Sequence, residues 1–440
     1  MTEAPPRALF VTDSDSYVKW GAALAGQVPD AWTVRLVVTR GNAQPSDRQL
    51  ASAVEGSRFG VDDVELVTRT ELVDLFASWS PDVVVAAARG LTVATVTQLV
   101  PAGPWRPVVV SGLAGISIPV LSPGLRHRRS VDVFLVQSRR ELREFADASD
   151  ELGIVHRFEL ATIPFLATAP GHASSTEARS RAERDPVRDR IVFAAQAIVP
   201  ASRADRVWML RRLVETARAH PELAVVIKVR ARHGEPQTHV EQFPYEELVD
   251  DLIDAGEPIP PNLAIEDGAM AWHLSRAVGL ATISSTAVLE AVAAGVPCLA
   301  LNDFGVGRRQ INLVLVGSGL LASSDQLVAG AFRSPAPEWL NDNYLHDPAD
   351  DTWIAAVEEL LDRRSSTGLP PLPIRRGGPA RRLRSAVYAR LAFVPAPGRP
   401  DVWHRMFLAV GFWEHRRRWA LRRQGRRERA GAAPTSGIRS

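Results

Sequence analysis

Residues 277–304, AVGLATISSTAVLEAVAAGVPCLALNDF, limit the folds open to this chain more than any other stretch. The apolar run 277–283 has the length of a strand, and Ser284, Ser285 and Thr286 interrupt it. Val288, Leu289, Val292 and Ala293 then recur at helical spacing until Gly295 and Pro297 end the helix, and 296–301 is apolar again. Strand, helix and strand in so short a space form a parallel crossover, the unit of doubly wound sheets. The turn between them has chemistry of its own. A helix opening on Ser-Ser-Thr offers N–H groups and hydroxyls at the positive end of its dipole, which suits a phosphate. Glu290 lies one turn further along. The same residues also compose an ordinary helix cap, and both readings stand at this level.

The rhythm repeats along the chain. Strand-like runs at 7–12, 33–39, 64–67, 83–87, 107–111 and 131–137 alternate with helical patterns at 17–28, 46–56, 70–78, 91–100 and 138–147. The run 131–137 is expected to be the last strand of this half. A second series has strands from 190, at 223–229 and at 262–266, with helices at 203–219 and 270–276, and leads into 277–304. Helices are expected at 312–321, 325–333 and 350–364, the last closing the second half. Residues 168–189 are poor in large apolar side chains and read as a linker, and the Pro- and Gly-rich 365–380 as a boundary. The fold class is therefore α/β. It has an N-terminal Rossmann-like domain over 1–167, a linker over 168–189, a C-terminal Rossmann-like domain over 190–365 and a basic helical tail over 366–440.

Composition narrows the function classes. With 440 residues, 46% hydrophobic and 23% charged, the chain can bury two full cores. No run reaches the roughly 18 apolar residues of a membrane span, and 1–7 leads directly into the first strand. The single cysteine, Cys298, excludes an intrachain disulfide and a cysteine-rich metal site. A cytoplasmic location is expected. The net charge of +2 conceals an asymmetry: 374–440 hold 17 Arg against 3 acids, a net of +14, which leaves −12 for 1–373. In the tail, Trp403, Phe407, Trp413 and Trp419 alternate with Arg clusters. Such a segment suits the anionic inner face of a membrane, or packs its aromatic stripe on the body. No nucleic-acid reader motif is present, and no nucleic-acid partner is expected.

Only two of the 52 basic residues are lysines, Lys19 and Lys228. Lysine is a compact point charge on a flexible stem, not a substitute for arginine. Both lie near the C-terminal ends of expected strands, where open α/β sheets bind ligands. Lys228 is followed by Arg230, Arg232 and His233. Alternation puts Lys228 and Arg230 on one face of a strand covered on both sides, and cations there call for an anion. In the first half, Asp13 and Asp15 fall in the turn after the first strand, a helix-cap arrangement. Two acids so spaced could also serve a metal, but the cap is the simpler reading and no metal is expected. The loop 111–117, SGLAGIS, lets a ligand approach the backbone, and the basic segment GLRHRR carries His127.

The segment S-S-T-A-V-L-E-A-V-A-A-G-V-P-C-L resembles the nucleotide-binding segment of GT-B glycosyltransferases. It is most similar to that of the capsule-polysaccharide, polysialyl and glycerophosphotransferase branch. SGLAGIS followed by RHRRSVDVFLVQS is similar to the acceptor-side domain of that group, and Lys228 with its basic neighbours matches a strand-end K-x-H/R pattern. His233 is displaced from the position of the family's histidine. The resemblance covers most of 7–365 and is strongest at 223–233 and 277–301. It implies two Rossmann-like domains facing a cleft, with the donor bound mainly by the second. It also implies transfer of a sugar, or a related group, from a nucleotide-activated donor to a glycan or lipid-linked acceptor. Lys228, Arg230 and His233, with Ser284, Ser285 and Thr286, would hold the donor phosphates, and Glu290 the ribose hydroxyls. Neutralising the departing phosphate this way needs neither metal nor cofactor. The acceptor hydroxyl needs a base, for which Asp13, Asp15 and His127 are the candidates. Two other readings share these residues: a sugar-nucleotide 2-epimerase, and a non-catalytic sugar-nucleotide or polysaccharide-binding module held at a membrane by the tail.

Overall fold

The computed structural model describes residues 4–41, 43–163, 166, 187–197, 199–229, 241–373 and 393. Arg230, His233, most of the expected linker and, Phe393 apart, the tail beyond 373 lie outside the described residues.

The first sheet has seven parallel strands: β1 (Arg7–Thr12), β2 (Thr33–Thr39), β3 (Val64–Val67), β4 (Val83–Ala87), β5 (Val108–Gly112), β6 (Val133–Val136) and β7 (Phe158–Leu160). Their spatial order is β3-β2-β1-β4-β5-β6-β7. The second has six: β8 (Arg190–Ala194), β9 (Ala224–Lys228), β10 (Leu263–Glu266), β11 (Ala277–Thr282), β12 (Cys298–Leu301) and β13 (Leu321–Ala322), in the order β10-β9-β8-β11-β12-β13. In both the order reverses beside the first strand, at β1/β4 and at β8/β11. A crevice opens at such a switch point, outside the carboxyl ends of the strands.

The strands read as continuous apolar runs because helices cover both faces. Val83, Val85, Val108 and Val110 join one cluster with Trp20 and Leu24, while Val84, Val109 and Val136 join another with Leu72 and Phe145. The helices of the first half are α1 (Asp15–Leu24), α2 (Asp47–Val54), α3 (Arg69–Ser78), α4 (Gly90–Leu99), α5 (Ser122–His127) and α6 (Arg139–Leu152). Those of the second are α7 (Arg203–Ala219), α8 (Tyr245–Asp254), α9 (Met270–Ser275), α10 (Ala287–Ala293), α11 (Ser324–Val328), α12 (Pro337–Asp342) and α13 (Trp353–Ser366). Ser46 with Gln49, and Thr68 with Glu71, form reciprocal capping boxes at α2 and α3.

Three expectations are corrected. The first half does not end at β6, since β7 adds a seventh strand beside it. Residues 312–321 are not a helix but a 3₁₀ turn over Leu313–Leu315 followed by β13. Gly317 and Gly319, with φ of +84° and +77°, break the helical path there. The third correction concerns the helix expected over 350–364, which is α13. It packs on the first sheet rather than closing the second half: Trp353, Val357 and Leu360 are buried in the cluster that holds Trp20 and Leu135. Trp353 Nε1 also donates to Gln27 Oε1 at 3.2 Å. An amphipathic helix follows its apolar stripe, and the uncovered stripe lay across β5, β6 and β7.

The elements that follow strand ends in one sheet touch their counterparts in the other. Lys19 on α1 meets Glu290 on α10, and Arg48 on α2 meets Asp267 in the loop after β10. Two Rossmann-like domains meeting across their carboxyl-terminal strand edges are the GT-B architecture.

Candidate functional site

The 284–286 turn is held from below. Thr282 Oγ1, at the end of β11, donates to Ala194 O at 3.0 Å and accepts from Ser285 N at 3.2 Å. Gln196, just beyond β8, brackets Ser284: its Oε1 accepts from Ser284 N at 2.9 Å, and its Nε2 donates to Ser284 Oγ at 3.0 Å. The turn thus bridges the two strands of the switch point. Ser284 is buried by this brace, while Ser285 and Thr286 stay half-buried. Ser285 Oγ accepts from Ala287 N at 3.3 Å, the first N–H of α10. The hydroxyl trio therefore divides into one buried, braced member and two that stay half-buried.

The first domain meets this turn through the loop after β5. Gly115 has φ +79°, and a Cβ there would lie 2.7 Å from Thr286 Cγ2. Within the small-residue loop, Gly115 is the position where Thr286 leaves no room for a side chain. Four residues beyond Thr286, Glu290 Oε2 lies 3.2 Å from Lys19 Nζ. The rim is extended by Arg48 Nη1, which donates to Asp267 Oδ2 at 3.2 Å.

Lys228 ends β9, in register with Ala194 of β8 and Glu266 of β10. It places positive charge near His273, whose ring is buried and whose Nε2 lies 2.7 Å from Asp267 O. Burial is the main cause that lowers the His273 pKa, and Lys228 adds to it.

The three candidate bases lie in different environments. Asp13 is 1% exposed and accepts three hydrogen bonds: Arg89 N at 3.1 Å, Arg89 Nε at 2.9 Å and Thr92 Oγ1 at 2.6 Å. Its carboxylate ties the end of β1 to the start of α4. Asp15 opens α1 and is half-buried. His127 ends α5, its ring against Gly90, where a Cβ would fall 2.5 Å from Nδ1. Burial first, and the neighbouring Arg128 second, lower the His127 pKa, so its imidazole is neutral at pH 7. The Arg89–Gly90 step therefore joins Asp13 on one side to His127 on the other.

Arg128 is buried without an ion pair to any carboxylate among the described residues. It donates instead to Ala88 O at 2.7 Å, Ser111 Oγ at 3.1 Å, Tyr17 Oη at 3.1 Å and Gly124 O at 3.4 Å. These bonds pin the ends of β4 and β5 to α1. The loops after β8 and β12, with Asp205 of α7, line an open pocket of about 270 Å³ that includes Val199, Pro200, Phe304, Arg309 and Gln310. Among the described residues, no group of three or more His, Cys, Asp or Glu is placed to hold a metal. No described helix is long and apolar enough to cross a membrane.

Gln196 and Arg128 were not singled out by sequence. Gln196 had one signal, a polar side chain directly after an apolar strand at the expected start of a domain. Arg128 had none, being one of four basic residues in a run.

Residues 8–360 match the model of the family described as "Putative glycosyltransferase (DUF6716)". No protein of curated function matches the chain. Among solved structures it is similar to Arabidopsis thaliana UGT89C1 complexed with UDP-L-rhamnose, at 13% identity over 82% of this chain and 100% of that one, TM-score 0.48. It is also similar to UDP-GlcNAc 2-epimerase from Neisseria meningitidis bound to UDP-GlcNAc, at 14% identity over 81% and 98%, TM-score 0.47. A third is UDP-GlcNAc 2-epimerase from Methanocaldococcus jannaschii, at 13% identity over 80% and 98%, TM-score 0.48. At this distance the likenesses carry no inference about ligand or reaction.

Proposed function

The chain belongs to that glycosyltransferase family, and on this premise we propose that it moves a sugar, or a related group, from a nucleotide-activated donor to a hydroxyl of a cell-surface glycan or glycolipid precursor. The observation that carries the reading is the braced 284–286 turn at the β8/β11 switch point, with Ser285 and Thr286 half-buried beside it. Fixed hydroxyl and N–H donors stabilise charge that develops on a departing phosphate, with no reorganisation at the moment of transfer. Ser285, Thr286 and Lys228 hold the donor phosphates, together with Arg230 and His233, and Glu290 binds the ribose. His127, neutral at pH 7, takes the acceptor proton. Asp13 fixes the Arg89–Gly90 step beneath it, and Asp15 is the second candidate for the base. The basic tail keeps the enzyme at the inner face of a membrane, near a lipid-linked acceptor.

The test is a thermal-shift screen against UDP, GDP, CDP, CMP and dTDP, with the Thr286→Val and Lys228→Ala variants beside the wild type. Ligand at 100 times its dissociation constant adds about 2.7 kcal/mol. A shift for one nucleotide, reduced in both variants, supports the reading. No shift for any nucleotide would overturn it. With the matching nucleotide sugar, release of nucleotide that depends on added acceptor supports transfer, whereas an epimerised sugar without acceptor would replace transfer by epimerisation.

A further inference from the structure

The ion pair between Lys19 and Glu290 joins the two domains directly beside the donor turn. It is a poor fastener. The side chains are 39% and 18% exposed, and pairs so open to water add little to stability. The larger contacts between the halves lie elsewhere: Ile118 and Ile163 are buried with Leu280 and Leu289, and Tyr344 with Glu141. Holding the domains together therefore does not account for an ammonium at this place.

Three observations point to a ligand. First, lysine is used twice among 52 basic residues, and Lys19 stands where the first domain meets the helix of the donor turn. A site needing only a fixed salt bridge is served as well by arginine, which this chain uses at every other basic position. Lysine differs in having a compact charge on a stem that swings. Second, Glu290 follows Thr286 by four residues on one helix, about 6 Å along its axis. An ammonium resting on Glu290 lies about one helical turn from any phosphate on Ser285 and Thr286. Third, the Gly115–Thr286 contact sets how closely the first domain approaches, so the distance Lys19 must span is fixed by packing.

We propose that Lys19 is the first domain's ligand for the donor diphosphate, and that Glu290 holds its ammonium in the ligand-free protein. This rests on the donor reading above. A diphosphate offers several anionic oxygens where Glu290 offers one carboxylate, and charge-assisted bonds to phosphate are strong. On binding, the ammonium passes from Glu290 to the phosphates. Glu290 is then free for the ribose hydroxyls, and both domains grip one ligand.

The experiment measures nucleoside diphosphate affinity of the full chain by calorimetry, using UDP, GDP, CDP and dTDP at low and at high salt. The variants are Lys19→Gln and Lys19→Arg. Lys19→Gln is expected to bind about tenfold more weakly, with a shallower salt dependence, while the melting temperature without ligand stays as in the wild type. Lys19→Arg, which keeps the charge but puts it on a broad planar head, is expected to recover only part of the affinity. Wild-type affinity and salt dependence in Lys19→Gln would overturn the proposal. So would a loss that tracks a fall in ligand-free melting temperature, which would make the pair a fastener after all. A wild type that binds none of the four nucleotides would overturn the donor reading and this proposal with it.

Discussion

The Tyr344 hydroxyl donates a hydrogen bond of 2.6 Å to Glu141 Oε1, linking positions 203 residues apart. Glu141 also accepts from Gln137 N at 2.8 Å and from Ser117 N at 3.1 Å, two residues beyond the Gly115 contact with the donor turn. One buried carboxyl thus ties α6, the loop after β5 and the segment after α12.

Burial pushes the Glu141 carboxyl up to about 7, and its three hydrogen bonds only partly offset that. Its ordinary value is 4.5. Between those values the folded chain holds a proton that the unfolded chain has lost, so stability falls as pH rises through the window and stays lowered above it. The full effect is on the order of 3 kcal/mol at most. Glu141→Gln removes the charge and keeps the shape. It is expected to melt a few degrees higher than the wild type at pH 8 and at a similar temperature at pH 5. Parallel melting curves for the two proteins across that range would refute the assignment.

Asp13→Asn tests the clamp at the end of β1. The change removes the buried carboxylate that Arg89 Nε meets at 2.9 Å. Arg89 itself is 30% exposed, so water softens the loss. A cost of about 2 kcal/mol is expected in urea denaturation. A variant as stable as the wild type would mean that the three hydrogen bonds do not hold the Arg89–Gly90 step.

Gly115→Ala adds a methyl that meets Thr286 Cγ2 at 2.7 Å, on a backbone of φ +79° that favours glycine. Destabilisation of about 1–3 kcal/mol is expected, with weaker nucleotide binding. Adding Thr286→Ser removes the clashing carbon. It should restore part of the loss, the backbone term remaining. If the double variant were no better than Gly115→Ala, the contact would not be the cause.

His127 gives a pH signature. Its lowered pKa places the imidazole in the neutral form across the physiological range. If it is the base, turnover is expected to fall only on acidification below 6.5 and to be level above. Stability follows the same sense: the folded chain resists protonating this ring, so its contribution is lost as pH drops below the ordinary 6.5. His127→Gln should abolish the acidic limb and lower turnover by about 10²–10⁴. An intact limb in the variant would move the role to Asp15.

Most of the two-sheet plan was legible because parallel strands are buried on both faces and so stand out as apolar runs. The stretch 277–304 reads as it folds: β11, turn, α10, β12. The three-residue β7 was not legible, since so short a run has no period to detect. Nor was the destination of α13, because an apolar stripe announces that it will be covered and not by which sheet. The division within the hydroxyl trio depends on Gln196, which is 88 residues away from Ser284. The pairing of Lys19 with Glu290 spans 271 residues. Sequence supplied the chemical types at both places; only the fold supplies the partners.

Because α13 supplies Trp353, Val357 and Leu360 to the first core, with Leu369 close behind, the order of synthesis and the order of completion differ. A ribosome delivers the seven strands of the first sheet long before the helix that covers β5, β6 and β7 on one face. Until residue 369 has emerged, that part of the face stays open to water and to chaperones. The second domain lies wholly within that interval and can close first. Truncation before 353 would therefore damage the half of the molecule furthest from the cut in sequence.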